Sequence, residues 1–434
     1  MSNYKKTTFP VNLNLNIRGL EPSATLAINQ KCRQLIQEGK EVFRLGLGQS
    51  PFPVPLHVVE SLQKNAHQKD YLPVNGLKEL REAIAGFNLR MHKVDDSPDD
   101  IIIGPGSKEL IFLLQLVYYG DLIIPTPSWV SYAPQANIIG RKVYWVPTSR
   151  DNDLRMSPEM LEEICHQDPD KPRIAILNYP SNPTGVTYPI ERLKKLAEVA
   201  RKHHVILVSD EIYGLLHHNN QHVSIARYYP EGTIISNGLS KWCGAGGWRL
   251  GFFSFPSGLR WLLNAMTAVA SETFTSTSAP IQFAAVTAFE GGPFMDEYLR
   301  DARKVLKAIL KYIMLRFDML HIDYPHPHGG FYIFPDFEFY REKLNNRGIR
   351  TGKELCSALL EETGVAMLPG VDFGRPAEEF SARIAYVDFD GSRALEMADM
   401  LSNHNGKSGD QFVQECCPKI VQSVERIGNW LSEL

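Results

Sequence analysis

The stretch SNGLSKWCGAGGWRLG, residues 236–251, places one lysine, Lys241, among small and apolar residues, and Arg249 follows eight positions later. A lysine in such surroundings could be a solvated loop residue, a charge that grips a phosphate, or a covalent catalyst. The covalent role requires a neutral amine, which desolvation and nearby cations favour by lowering the pKa of a lysine. The local sequence alone leaves these roles open.

Two further polar segments follow short apolar runs. Asp210 comes after VILV and one serine, so we expect it at the floor of a cleft, although the acidic pair in SDEIYG could also cap a helix. A carboxylate at that depth needs a cationic partner, because an unpaired buried charge is costly. Asn182 lies in NYPSNPTG, whose Asn-Pro and Thr-Gly pairs are equally typical of a plain turn.

The middle of the chain alternates apolar strands with amphipathic helices. Runs such as DLIIPTP, RIAILNYP and HVILVSD are separated by helical patterns such as residues 190–203. This alternation predicts an α/β fold with a mostly parallel sheet and helices on both faces. Ligands of such sheets bind beyond the carboxyl ends of the strands. The polar or small residues expected at those ends are Gly106, Ser107, Asn182, Asp210, Tyr213 and Lys241.

A chain of 434 residues is expected to form more than one domain. We predict a large domain over residues 55–318, ending in one long helix over 296–318. A smaller α+β domain would cover residues 319–434, joined by the N-terminal segment 1–54. The polar stretch 402–411 is expected to be an exposed loop between two C-terminal helices.

Composition excludes several classes of function. With a formal net charge of −3, 44% hydrophobic and 22% charged residues, the chain has no features of a nucleic-acid-binding or membrane-surface protein. The apolar run at residues 110–119 is too short to span a bilayer, and no secretory signal is visible. The six cysteines show no CxxC spacing, which favours a reducing, cytoplasmic setting and no metal site. Neither GPGSKE nor GAGGWR completes a GxGxxG dinucleotide motif.

Taken in order, seven motifs resemble those of the class I/II pyridoxal-phosphate-dependent aminotransferases of fold type I. They are YLPVNGLKELREAIA, GPGSKEL, PTPSWVSY, NYPSNPTG, SDEIYG, SNGLSKWCGAGGWRLG and ARIAYVDF. The resemblance extends from about residue 21 to beyond Arg383. It implies the aspartate-aminotransferase-like fold, with a sheet between helices plus a smaller α+β domain, and pyridoxal 5′-phosphate as the cofactor.

The resemblance also implies a role for each matching residue. Lys241 would bind the cofactor covalently and move the substrate's α-proton, Asp210 would pair with the ring nitrogen, and Tyr213 would contact the ring 3-oxygen. The implied cofactor-binding residues are Tyr71, Gly106, Ser107, Lys108, Trp129, Asn182, Asp210, Tyr213, Lys241 and Arg249. Trp129 would stack on the ring. Tyr71 would reach the phosphate of a partner subunit, which implies a homodimer with shared active sites.

The implied substrate-binding residues are Gly48, Asn182 and Arg383, and Arg383 would hold the α-carboxylate by paired hydrogen bonds. Two departures from some family members stand out. Gly238 replaces a phosphate-binding serine, and SETFTSTSAPIQFAA has no arginine for a distal carboxylate. That stretch resembles a subgroup with Thr275, Ser276 and Gln282, so aspartate, aromatic and neutral donors all stay open.

The implied activity moves an amino group from an amino acid to a 2-oxo acid in two half-reactions. A carbon–sulfur β-lyase or an aminocyclopropane-carboxylate-forming enzyme would use the same lysine, aspartate and arginine, so both remain alternatives. A regulator built on this fold is a third possibility. Regulators of this kind carry an N-terminal DNA-binding module, and no basic recognition helix is visible here.

Overall fold

The computed structural model describes residues 12–401 and 409–434. The strands are β1 (Phe43–Arg44), β2 (Ile101–Gly104), β3 (Asp121–Thr126), β4 (Val143–Pro147), β5 (Arg173–Asn178), β6 (Ile206–Asp210), β7 (Thr233–Gly238), β8 (Gly251–Ser254), β9 (Tyr332–Ile333), β10 (Val365–Ala366), β11 (Leu368–Pro369) and β12 (Ala382–Ala385). The helices are α1 (Ala24–Gln37), α2 (Leu56–Asn65), α3 (Lys78–His92), α4 (Ser107–Val117), α5 (Tyr132–Ile138), α6 (Pro158–Gln167), α7 (Ile190–Lys202), α8 (Arg260–Glu272), α9 (Ala279–Glu290), α10 (Pro293–Met319), α11 (Arg341–Asn346), α12 (Gly352–Thr363), α13 (Gly391–Glu396), α14 (Gly409–Cys416) and α15 (Pro418–Ser432).

A seven-stranded sheet dominates the fold, with the strand order β2-β8-β7-β6-β5-β3-β4. Strands β3 to β7 pair in parallel, which confirms the predicted mostly parallel α/β sheet. Strand β8 runs antiparallel to both β2 and β7. Strand β8 was not predicted, because its four residues follow the glycine-rich lysine segment without an intervening α-helix.

Both faces of this sheet are buried, which explains why its strands are continuous apolar runs rather than alternating ones. In β5, Ile174 and Ile176 pack on one side with helices α4, α5 and α8. Ala175 and Leu177 point to the other side, where they meet helices α6 and α7. Successive residues of one strand thereby fill two cores, as the period of two requires.

The predicted long helix is confirmed as α10, which begins three residues earlier than expected and ends one residue later. Beyond it, β11, β12 and β9 form a small antiparallel sheet. The N-terminal strand β1 pairs in parallel with β10, so residues near the start of the chain join its C-terminal part. The proposed boundaries at residues 54 and 318 stay predictions.

The expected loop at 402–411 falls largely outside the described residues, but residues 409–411 already belong to helix α14. The prediction of a loop was therefore wrong for residues 409–411, since Gly409 begins helix α14. Among helices of the described segments, none combines the length and the apolar character needed to cross a bilayer.

Candidate functional site

The carboxyl ends of the parallel strands meet at one edge of the sheet. The strand register places Asn178 of β5 opposite Asp210 of β6, and Asp210 opposite Ser236 of β7. Lys241 follows the end of β7 by three residues. A cavity of about 390 Å³ opens at this edge. The predicted site residues that line it are Gly48, Ser107, Lys108, Trp129, Asn182, Asp210, Tyr213, Lys241 and Arg249.

Lys241 has the environment that a covalent role requires. Lys241 is half-buried, and its Nζ donates a hydrogen bond to the Gly48 carbonyl oxygen at 2.6 Å and lies 5.6 Å from the centre of the Tyr213 ring. Burial lowers its pKa to about 8, and the positive charges of Arg383 and Arg249 act in the same direction. A substantial fraction of the amine is therefore neutral near pH 8 and able to act as a nucleophile.

Asp210 is a buried carboxyl group with one satisfied and one free oxygen. Its Oδ2 accepts a hydrogen bond from the Tyr132 hydroxyl at 2.5 Å, whereas its Oδ1 is buried without a hydrogen-bond partner in the described chain. Burial raises the pKa of Asp210 to about 6, and the bond from Tyr132 opposes that rise. The free Oδ1 is suited to an N–H donor of a ligand in the cavity.

Two residues of this arrangement had no role in the sequence analysis. Tyr132 lies three positions after Trp129 in the quoted PTPSWVSY motif, and the two rings meet edge to face at 5.2 Å. Asn178 ends β5, donates to the Asp210 backbone oxygen and accepts from the Asn182 amide nitrogen at 2.7 Å. The motif contained Tyr132, but only the fold shows that its hydroxyl reaches Asp210.

The N-terminus of α4 forms one wall of the cavity and carries the features of an anion site. Its first residue, Ser107, follows Gly106, which has a φ of +93° and lies so close to the Arg249 guanidinium that any β-carbon would collide with it. Arg249 forms no salt bridge within the described residues, and its guanidinium donates only to the Pro105 and Gly246 carbonyls. Free helix amides beside an unpaired arginine favour binding of a phosphate.

The structure explains why glycine occupies position 238, where some family members have a phosphate-binding serine. A β-carbon at this position would lie 2.6 Å from the Leu250 backbone oxygen, because β7 and β8 pair closely here. A side chain therefore does not fit, and the phosphate would have to be held by the α4 terminus and the neighbouring cations.

Arg383 is buried but does not line the cavity. It stands behind Asn182, donating from Nη1 to the Asn182 Oδ1 at 3.0 Å and from Nη2 to the Gly46 oxygen. Its Nε has no partner, and it forms no salt bridge in residues 12–401 or 409–434. A buried cation without a carboxylate partner fits the predicted contact with a substrate carboxylate, but Asn182 stands between Arg383 and the cavity, so this role stays a prediction.

The surroundings of three other residues bear on their predicted roles. The Tyr213 hydroxyl is 2.7 Å from the hydroxyl of Tyr332, which the sequence analysis did not single out. Tyr71 is 88% exposed and does not line the cavity of its own chain. Gln282 is fully buried, accepting from the Leu77 amide and donating to the Thr277 oxygen, so it supports the fold rather than lining the cavity.

These features together fit pyridoxal phosphate. The phosphate matches the α4 terminus with Arg249, a protonated ring nitrogen matches the free Oδ1 of Asp210, and an aldehyde carbon matches the Lys241 amine. Three separate chemical groups of the cofactor thus have a complementary group in one cavity.

Comparison with known proteins agrees with this fit. The family model for aminotransferase class I and II matches residues 40–390. The aspartate aminotransferase of Geobacillus stearothermophilus is 36% identical over 385 residues, covering 86% of this chain and 93% of that protein. The aspartate aminotransferase of Bacillus subtilis is 34% identical over 381 residues, with the same shares covered.

A solved structure of aspartate aminotransferase from Thermus thermophilus with maleate superposes with a TM-score of 0.82 at 27% identity, covering 97% of this chain and all of that one. These relatives are transaminases, which supports transamination over the alternative elimination reactions. With the family model matching most of its length, the chain belongs to the class I and II aminotransferases and is a pyridoxal-phosphate-dependent enzyme of fold type I.

Proposed function

We propose that this aminotransferase uses aspartate as an amino donor and a 2-oxo acid as the acceptor. The observation that carries the proposal is the charge of the cavity wall. Lys108, Lys241 and Arg249 face one carboxylate, that of Asp210, and Arg383 adds a further cation behind the wall. Lys241 acts as a neutral amine and adds no lasting charge. With Arg249 and the α4 amides at the phosphate and Arg383 at the α-carboxylate, Lys108 is the cation left for a second carboxylate. The names of the relatives from Geobacillus stearothermophilus and Bacillus subtilis support the same donor.

In this proposal the cofactor is held at its ring and at its phosphate. When bound, pyridoxal phosphate supplies an electron sink for the bonds of the substrate's α-carbon. Asp210 Oδ1 would keep the ring nitrogen protonated. Trp129, which packs edge to face on Tyr132, would stack on the cofactor ring. Tyr213 and Asn182 donate to the ring oxygen. Gly106 allows Arg249 to approach the phosphate, and the phosphate also accepts from the amides that begin at Ser107.

Lys241 has the second chemical task. Its Nζ is placed to take the α-proton from a bound amino acid and would return that proton to the cofactor carbon bonded to the amino nitrogen. The Gly48 carbonyl at 2.6 Å orients the amine, and its lowered pKa keeps it able to accept a proton near pH 8. Burial of Tyr213 and Asp210 around it excludes water from the transfer.

Lys108 is the cation best placed for the second carboxylate. It is exposed, and it lines both the cavity and an adjoining groove of about 1000 Å³ between helices α1, α5 and α12. A substrate that enters from this groove meets its amine before it reaches Lys241. Arg249 and the α4 amides are then sufficient for the phosphate.

The test is a half-reaction screen followed by absorbance spectroscopy. Aspartate alone should convert the bound cofactor to its amino form, and 2-oxoglutarate should restore the original spectrum. Lys108→Met should weaken aspartate at least tenfold relative to alanine, because only aspartate has a second carboxylate. If the enzyme ignores aspartate, the proposed donor is wrong. If Lys108→Met instead weakens cofactor binding and leaves donor preference unchanged, Lys108 belongs to the phosphate site.

We further propose a cytoplasmic homodimer in which Tyr71 completes the partner's site. The 88% exposure of Tyr71 outside its own cavity and the six unpaired, buried cysteines support these two points. Mixing inactive Lys241→Ala chains with inactive Tyr71→Ala chains should restore activity at about a quarter of the sites if the sites are shared. No recovery in a mixture shown to exchange subunits would contradict the shared site.

A further inference from the structure

A buried cluster of histidine and carboxylate lies directly behind the cofactor site, in a place that transamination does not use. It consists of His92 at the end of α3, Glu211 after β6, and His222 in the following loop; we call it the His–Glu–His cluster. Glu211 Oε2 is 2.8 Å from His222 Nε2 and 3.4 Å from His92 Nδ1. The three candidate ligand atoms all lie within 4.8 Å of one another.

Several buried ring nitrogens of this cluster have no hydrogen-bond partner in the part of the chain that the structure describes. Both ring nitrogens of His92, which is 2% exposed, and Nδ1 of His222 are buried without a hydrogen-bond partner among the described residues. Unpaired polar atoms at such depth destabilise a fold, and each one in a native structure calls for a specific explanation. A cation held by Glu211 Oε2, His222 Nε2 and His92 Nδ1 would give the unpaired His92 Nδ1 a partner.

The separations suit a small divalent transition-metal ion. Zinc binds imidazole nitrogen and carboxylate oxygen at about 2.0–2.2 Å in a tetrahedron, which places neighbouring ligand atoms about 3.4 Å apart. The two measured separations are 2.8 and 3.4 Å, so small side-chain movements complete the arrangement. Glu211 Oε1 accepts from the Ser209 hydroxyl at 2.7 Å, the kind of outer hydrogen bond that orients a carboxylate ligand.

A second group, formed by Glu162, His166 and His203, offers the same ligand types in a different setting. There Lys202 Nζ already pairs with the Glu162 Oε1, and the His166 side chain is 62% exposed. The carboxylate has its cation, so a metal would have to displace a lysine. This surface group provides a matched control for the His–Glu–His cluster.

We propose that His92, Glu211 and His222 bind one Zn²⁺-like ion, which ties the end of α3 and the loop carrying His222 to the strand that presents Asp210. The ion replaces the proton shared between Glu211 and His222, and that proton is released to solvent. Residues 219–221, which directly precede His222, are exposed. The site is separate from the aminotransferase chemistry, because Glu211 does not line the catalytic cavity.

Zinc binding by the holoenzyme is the direct test of the proposed site. After chelator treatment and dialysis against ZnCl₂, elemental analysis should find about one zinc per chain, and the melting temperature should rise with zinc concentration. His92→Gln and His222→Gln each remove a direct ligand and should weaken zinc binding by more than the roughly 10- to 100-fold that loss of an outer hydrogen-bond partner costs. His166→Gln, in the surface group, should bind zinc as the parent does. Cofactor absorbance and far-ultraviolet circular dichroism establish that each variant is folded.

An X-ray anomalous difference map at the zinc edge makes the test independent of the variants. A peak between His92, Glu211 and His222 in the zinc-treated protein supports the site even if one variant fails to fold. The proposal is overturned if the protein takes up less than about a tenth of an equivalent of zinc. It is also overturned if the anomalous peak lies elsewhere, or if His166→Gln abolishes binding while folded His92→Gln retains it.

Discussion

Replacing Asp210 by Asn is expected to stabilise the cofactor-free protein. Burial raises the pKa of this carboxyl group from 3.8 to about 6, so the folded chain is penalised for keeping it ionised. Each pKa unit corresponds to about 1.4 kcal/mol, which gives a penalty of about 3 kcal/mol at pH 8. The penalty is fully present above pH 6 and disappears as the pH falls towards 3.8. Asn resembles the protonated carboxyl group and carries no such penalty.

The assay is urea unfolding of cofactor-free parent and Asp210→Asn protein at equal protomer concentration. At pH 8 the variant should be more stable by up to about 3 kcal/mol, and at pH 5 this advantage should fall to about half. The same variant should bind cofactor weakly, since it cannot keep the ring nitrogen protonated. The gain in unfolding free energy would thus measure how much stability the cofactor-free fold loses by keeping an ionised Asp210 for cofactor binding.

Asp121→Asn is the matched control at the opposite end of the same sheet. The Asp121 carboxylate pairs with Lys171 at 2.8 Å, so the same substitution there should lower stability or leave it unchanged. If Asp210→Asn is less stable than the parent at pH 8, burial of the ionised carboxyl group does not destabilise the folded chain. A gain of equal size at both pH values would also contradict the prediction, because titration of the carboxyl group would then not be the cause.

Three other outcomes are expected. The rate at which the cofactor-free protein binds the cofactor covalently should rise about tenfold per pH unit up to about pH 8 and then level off, because only the neutral Lys241 amine reacts. Stopped-flow absorbance measures this rate. A rate that does not change with pH would contradict the prediction. Tyr132→Phe removes the hydroxyl that donates a hydrogen bond to Asp210, and it should weaken cofactor affinity at pH 8 by roughly 10- to 100-fold. Equilibrium dialysis measures this affinity. An unchanged affinity would show that the hydrogen bond is not needed for binding. Gly106→Ala should weaken cofactor binding, because alanine is strained at a φ of +93° and its methyl group would displace the Arg249 guanidinium that faces the phosphate. Gly258→Ala, whose methyl group would meet nothing within 4 Å, should bind the cofactor normally.

Much of the fold followed from local patterns. The buried strands were recognisable because a strand covered on both faces must be apolar at every position, as β5 shows. The antiparallel β8 was not predicted, because no helix separates it from β7 and its apolar residues follow the glycine-rich lysine segment directly. The mostly parallel sheet, the aminotransferase family and the cofactor are confirmed, whereas the roles of individual residues such as Tyr71 and Arg383 stay predictions.

The sequence by itself determined the order of the chemistry-bearing motifs and placed Lys241 and Asp210 at strand ends, since strand period and motif spacing are local properties of the chain. Only the tertiary structure decided which distant side chains meet. It alone shows that Tyr132 donates to Asp210, that Arg383 stands behind Asn182, and that His92 and His222 converge on Glu211. The physical reason is that hydrogen bonds, desolvation and pKa shifts depend on distances of a few ångströms between segments far apart in the chain, and packing of the whole fold sets those distances.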